Sequence, residues 1–178
     1  AEIFPRTKLV KAIRNEDGWV VSLIQNNDLK VLHVKAIVNA TGQWVEHVAA
    51  EILDLKPNVN LKLVRGSHII VPKLFNHGKA LVLQNKDERV VFVIPYLNDF
   101  TLIGTTDILL DQIEQPAIVS DEECAYLCDT VDQYLQNTIT PKDILYKYAG
   151  VRTLHANNEK APSQMTRDYA LDIDDSNI

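Results

Sequence analysis

Residues 61–71, LKLVRGSHIIV, decide the fold class, because they open a series of strand-like runs joined by short turns. The series continues through 79–84 (KALVLQ), 89–94 (RVVFVI) and 100–106 (FTLIGTT). Asn85-Lys86-Asp87-Glu88 and Tyr96-Leu97-Asn98-Asp99 supply turns between these runs, and connections this tight imply antiparallel hairpins. A polar connection then leads to Ser120, with Glu123 three residues on, the signature of a capping box. It predicts a helix over about 121–136. Thr140-Pro141 predicts another helix start with proline at its first position. Two strands are expected to follow, 144–154 (ILYKYAGVRTL) and about 164–173 (QMTRDYALDI). The expected class is α+β, a large antiparallel or mixed sheet with helices on one face.

Upstream, 7–13 (TKLVKAI) and 19–25 (WVVSLIQ) flank the turn Asn15-Glu16-Asp17-Gly18. After Asn26-Asn27-Asp28, residues 29–38 (LKVLHVKAIV) predict a third strand, whose end loses alternation as a strand buried on both faces does. Asn39-Ala40-Thr41-Gly42 closes it. A helix is expected over about 43–54, where Trp44, Val45, Val48, Ala49, Ile52 and Leu53 recur at helical spacing. This part is a β-meander ending in strand, turn and helix.

Composition excludes collagen-like, low-complexity and disordered readings, with 46% hydrophobic and 24% charged residues. At 178 residues the chain can bury about 70% of its unfolded surface without a disulfide or metal. Its net charge of −6 disfavours non-specific attraction to nucleic acid or to an anionic membrane. Cys124 and Cys128, four apart on one helical face, make neither a disulfide framework nor a zinc site and fit a reducing compartment. No 18-residue apolar run is present, no signal peptide is expected, and Met165 is the only methionine. The chain is expected to be an internal piece of a longer protein.

Three glycines lie inside strand runs: Gly66, Gly104 and Gly150. Glycine weakens a strand, and often marks a bulge or a close approach to backbone. Side by side, three such strands would offer bare backbone to a flat ligand; the alternative is three unrelated bulges. Arg152 and Arg167 interrupt apolar runs, and a guanidinium in a sheet needs an acidic partner. That partner is either a substrate phosphate or carboxylate or a structural carboxylate such as Asp107, Asp168 or Asp172. His68, beside Ser67, is either a core residue or an acid/base group. The other histidines, His33, His47, His77 and His155, share no metal spacing, and no metal is expected. Thr41-Gly42 opens a helix whose backbone N–H groups favour an anion, but no Gly-x-Gly-x-x-Gly cradle occurs anywhere.

The strings VNATGQWV, LVRGSHIIVP, LQNKDERVVFVIPY, FTLIGTTD, YAGVRTL and TRDYALDI, in this order and spacing, resemble the FAD-dependent glycerol-3-phosphate dehydrogenase family of the D-amino-acid-oxidase-like flavoproteins. The resemblance covers about residues 1–175. It implies a partial FAD-binding domain over 1–48 and a substrate-binding domain over 49–178. It implies FAD contacts at Ala40, Thr41, Gly42, Gly66 and Gly150, and substrate contacts at Arg152, Arg167, Ser67 and Thr105. His68 and Arg152 are then the catalytic residues, with His68 accepting the C2 hydroxyl proton of sn-glycerol 3-phosphate. The implied activity belongs to glycerol catabolism: oxidation to dihydroxyacetone phosphate, with electrons passing through FAD to the quinone pool. The implied location is cytoplasmic and peripheral on the inner face of the bacterial cell membrane, with the oligomeric state left open. An amino-acid oxidase gripping a carboxylate, and a non-catalytic module retaining the fold, are the alternatives. The family carries proline where Gln43 and Thr153 stand. Its glycine-rich FAD loop and its glycine–lysine segment lie outside this sequence, so the chain alone is expected to bind FAD weakly and to be inactive.

Overall fold

The computed structural model describes residues 1–56, 60–113, 116–135, 139–155, 165, 168–169 and 171–174. The chain divides into two compact units, Ala1–Val59 with Leu171–Ile178, and Asn60–Ala170. This division by contacts falls after 59 and groups the tail with the first unit, while the resemblance implies a partial FAD-binding domain over 1–48.

The first unit is an antiparallel meander of β1 (Thr7–Asn15), β2 (Gly18–Gln25) and β3 (Asp28–Val34). Gly18 makes the first turn possible at φ +135, where an added Cβ would press on the backbone of Val34 and Lys35. Within this unit Arg14 pairs with Asp174 at 2.7 Å. The third strand stops at Val34, four residues short of its expected end. No strand among the described residues pairs with 35–38, and Val38 is 87% exposed, so apolar character without a ladder partner leaves an irregular segment. The predicted helix forms as a run of short turns, Gly42–Trp44, α1 (Val45–His47) and Val48–Ile52, burying Val48 and Ala49.

The second unit is a six-stranded antiparallel sheet: β4 (Leu61–Pro72), β5 (Leu81–Gln84), β6 (Val90–Tyr96), β7 (Phe100–Gly104), β8 (Ile108–Leu110) and β9 (Tyr146–His155). Strand β4 is its axis. Along one edge β9 pairs with it over Leu61–Ile70; along the other, β7 pairs with His68–Pro72 and β8 with Leu63–Arg65. β8 was not anticipated, since three apolar residues in a polar connection carry no period. The predicted helix α2 (Asp121–Leu135) covers one face. Its buried Cys124, Leu127, Cys128 and Val131 pack on Ile69, Val71, Val91, Val93 and Ile103, each large side chain contributing about 1.5–3 kcal/mol by burial. Both cysteines are thus core residues, and burial pushes the Cys128 thiol up to about 11. Thr140 caps a single turn over Pro141–Asp143. The expected strand at 164–173 falls largely outside the described residues, and 168, 169 and 171–173 form no strand. No helix among the described residues is long and apolar enough to cross a membrane.

Candidate functional site

Directly paired residues in an antiparallel sheet share a face. Val82, Phe92, Gly104, His68 and Tyr148 therefore form one row across β5, β6, β7, β4 and β9, on the face opposite α2. Gly66 and Gly150 pair in the next row, and Val64 and Arg152 in the one after. The three strand glycines do lie on adjacent strands, as one sequence reading expected. Two of them, however, are not bare. A Cβ on Gly66 would overlap the Arg152 guanidinium, and a Cβ on Gly104 would overlap the His68 imidazole. Each glycine is the seat of a planar side chain, because only a residue without a Cβ lets such a group lie against its backbone. Gly150 alone stays open, with nothing within 4 Å of an added Cβ.

Arg152 reaches from its seat to the segment between β7 and β8. Its Nη1 donates to Asp107 Oδ1 at 3.1 Å and its Nη2 to Thr105 Oγ1 at 3.0 Å. The structural carboxylate that sequence reasoning offered as one partner of Arg152 is therefore present, and it is Asp107. The Arg152 side chain nevertheless stays 31% exposed, against 7% for Asp107. Two of its five N–H groups are used by these contacts, leaving donors for an anion.

His68 lies on β4 two residues from Gly66 on the same face, about 7 Å along the strand. Its ring stacks on Tyr148 with centroids 5.0 Å apart and planes 5° from parallel. Burial, and then the nearby charge of Arg152, hold its pKa below the ordinary 6.5, which favours the neutral imidazole. Among the described residues neither ring nitrogen has a hydrogen-bond partner. A neutral imidazole beside a fixed cation can take a proton from a hydroxyl whose anionic substituent the cation holds.

Ser67 has a different place. It points to the α2 face, is fully buried, and donates from Oγ to Glu123 Oε1 at 2.8 Å, so it does not share the face of His68 and Arg152. Alternation along β4 enforces this, since neighbouring residues must point to opposite faces. Arg167 lies outside the described residues. Residues 40–42 belong to the first unit. There Thr41 Oγ1 donates to Asn39 Oδ1 at 2.7 Å, Asn39 Nδ2 donates to Val45 O at 2.8 Å, and Gly42 has φ +60 with open space where a Cβ would stand. Beside it, Gln43 Oε1 is buried without a hydrogen-bond partner among the described residues.

The residue that sequence reasoning underrated is Glu123. Its Oε2 accepts the Ser120 N–H at 3.0 Å, as the capping box predicted, and also meets Arg65 Nη2 at 2.9 Å. Its Oε1 accepts from Thr106 at 2.6 Å and Ser67 at 2.8 Å. The box located this carboxylate; its reach into the sheet depended on β4 passing beneath α2. Among the described residues no group of three or more His, Cys, Asp or Glu could hold a metal ion.

Residues 1–165 match the profile of the family described as FAD dependent oxidoreductase. The chain is 39% identical over 178 residues to the glycerol-3-phosphate dehydrogenase of Pseudomonas aeruginosa, covering 99% of this chain and 35% of that protein. It is 37% identical to the D-erythritol 1-phosphate dehydrogenase of Brucella abortus, over 99% of this chain and 36% of that one. Among solved structures, it superposes on the glycerol-3-phosphate dehydrogenase of Bacillus halodurans complexed with FAD, with a TM-score of 0.74 and 25% identity, over 86% of this chain and 32% of that one. The chain thus spans about a third of the length of the curated relatives it matches.

Proposed function

Because the chain belongs to the FAD-dependent oxidoreductase family, we propose that it forms part of an enzyme oxidising sn-glycerol 3-phosphate to dihydroxyacetone phosphate. One observation carries this reading: Arg152, anchored by Asp107 and Thr105 yet with its side chain a third exposed, shares a sheet face with His68. The identity to glycerol-3-phosphate dehydrogenases supports the substrate.

The residues present fit a flavin. Gly150 leaves room for a flat ring beside Tyr148 and Arg152, while Gly42 and the orphaned Gln43 Oε1 offer an open turn with an acceptor to satisfy. Within the second unit Gly150 would lie against the ring, and within the first unit Ala40, Thr41 and Gly42 offer backbone to FAD. When FAD is bound, it supplies the acceptor for the hydride leaving C2. Arg152 binds the substrate phosphate through its remaining N–H groups and thereby orients C2. His68 accepts the C2 hydroxyl proton at a ring nitrogen as the hydride leaves, so that charge balances without a free alkoxide. Thr105 acts through its hold on Arg152. Arg167, where the family pattern matches, is the second phosphate ligand.

Electrons then pass to the quinone pool, and the enzyme is cytoplasmic and peripheral on the inner face of the cell membrane; the aerobic glycerol-3-phosphate dehydrogenase of Escherichia coli, 34% identical, supports an oxidative role. A second reading has an observation of its own: identity to a D-erythritol 1-phosphate dehydrogenase is almost as high. Both compounds are polyol phosphates and make the same demand on Arg152.

The test uses the full-length protein carrying this chain, supplied with glycerol 3-phosphate, erythritol 1-phosphate or an amino acid, and with a quinone analogue or O₂. The highest kcat/KM is expected with glycerol 3-phosphate and the quinone. Preference for erythritol 1-phosphate favours the second reading, and turnover of amino acids alone overturns both. The 178-residue chain by itself is expected to be inactive and to bind FAD weakly. Titration with FAD followed by flavin absorbance checks this, and tight binding with a perturbed spectrum contradicts it.

A further inference from the structure

We infer that Asp107 and Thr105 are positioning residues for Arg152. The segment between β7 and β8 is a clamp that presents the guanidinium to an anionic substrate, and it is pinned from the opposite face of the sheet by Glu123. The inference rests on the proposed function only for the identity of that anion.

The clamp arises from register. His68 pairs with Gly104 and Arg65 with Ile108, so Gly66 and Ser67 face three residues, Thr105, Thr106 and Asp107. This is a bulge, and bulges re-aim side chains. Thr105 and Asp107 present their oxygens to Arg152, while Thr106 between them turns to the α2 face. Two acceptors on two different nitrogens fix the roll of a planar guanidinium, and Gly66 beneath it removes the freedom to sink or tilt.

A bulge carries an unpaired residue and can shift unless something holds it. Thr106 is fully buried; its Oγ1 accepts the Ser67 N–H at 3.0 Å and donates to Glu123 Oε1 at 2.6 Å. Thr105 Oγ1 in turn donates to the Thr106 carbonyl at 3.0 Å while accepting from Arg152. A continuous set of hydrogen bonds therefore runs from the helix carboxylate, through the bulge, to the arginine. The exposures give it a direction. In a pair that served only to neutralise an interior charge, both partners would be hidden, yet the side chain of Asp107 is 7% exposed and that of Arg152 31%. Asp107 stands behind and Arg152 in front.

A double-mutant cycle in the full-length protein carrying this chain tests the clamp. It crosses Asp107→Ala with Arg152→Ala and reads kcat/KM and the calorimetric Kd for glycerol 3-phosphate. Asp107→Ala is expected to cost about 10- to 100-fold when Arg152 is present and less than about 3-fold when it is alanine, because a residue acting through another then has nothing to position. Thr106→Val, which removes the pin, should show the same dependence on Arg152. Thr105→Ser, which keeps the hydroxyl, should stay within about 3-fold of wild type. If Asp107→Ala does not fold, Asp107→Asn carries the cycle with the same criterion. Equal losses in both backgrounds, or none in either, overturn the inference and leave the proposed function standing. If instead Arg152→Ala leaves both Kd and kcat/KM unchanged, the substrate role of Arg152 fails, and the clamp fails with it.

Discussion

Arg152→Ala in the full-length protein is expected to lower kcat/KM for glycerol 3-phosphate by about 10²- to 10³-fold. Removing one member of a charge-assisted contact to an anion costs roughly 2–5 kcal/mol, and each 1.4 kcal/mol is about tenfold. The partial exposure of Arg152 argues for the middle of that range rather than its top, because water screens part of the charge. Most of the loss should appear in KM, since a phosphate held equally before and during hydride transfer contributes uniform binding. A second effect has a definite sign. The Arg152 charge disfavours imidazolium at His68, so its removal lets the His68 pKa rise toward 6.5. The acid limb of the rate profile, where the base becomes protonated, must then move to higher pH. The rise is partial, because burial, the larger cause, remains. A pH–kcat/KM profile of the two proteins checks both points, and an acid limb that moves to lower pH contradicts the assignment.

Glu123→Ala is expected to destabilise the Asn60–Ala170 unit by about 3–5 kcal/mol, the cost of taking one partner from a buried ion pair. The side chains of Glu123 and Arg65 are only 4% and 13% exposed, and the substitution also strands the hydroxyls of Ser67 and Thr106. The amides of β4, β7 and α2 should then exchange with solvent about 10²- to 10³-fold faster, read by mass spectrometry on the full-length protein. Glu123→Gln, which keeps the shape without the charge, should fall between. The pH dependence follows from the same network. Burial pushes the Glu123 pKa up, but hydrogen bonds from Thr106, Ser120 and Ser67 and the charge of Arg65 outweigh it and hold the group below its ordinary 4.5. Its contribution is therefore complete above pH 4.5 and is lost as pH falls through the lower value it has in the fold. Unchanged exchange in Glu123→Ala would mean that the network adds nothing to stability.

Sequence alone determined much of this protein. The period-two runs and tight polar turns specified the hairpins of both sheets, because alternation and turn chemistry act over a few residues. Ser120 and Glu123 marked the start of α2 through a local capping pattern, and linked motifs pointed to a flavin-dependent oxidoreductase. What needed tertiary structure is everything set by register between distant strands. The one-residue slip between β7 and β8 made the bulge that aims Thr105 and Asp107 at Arg152. The pairing of β4 with β7 and β9 put Gly66 under a guanidinium and Gly104 under an imidazole, where glycine placement had offered either bare backbone or unrelated bulges. Alternation turned Ser67 to the helix, and 35–38, with no strand pairing to it among the described residues, is irregular. Each of these depends on which residue lies across a strand gap of about 5 Å, and that neighbour is chosen by the packing of the whole sheet.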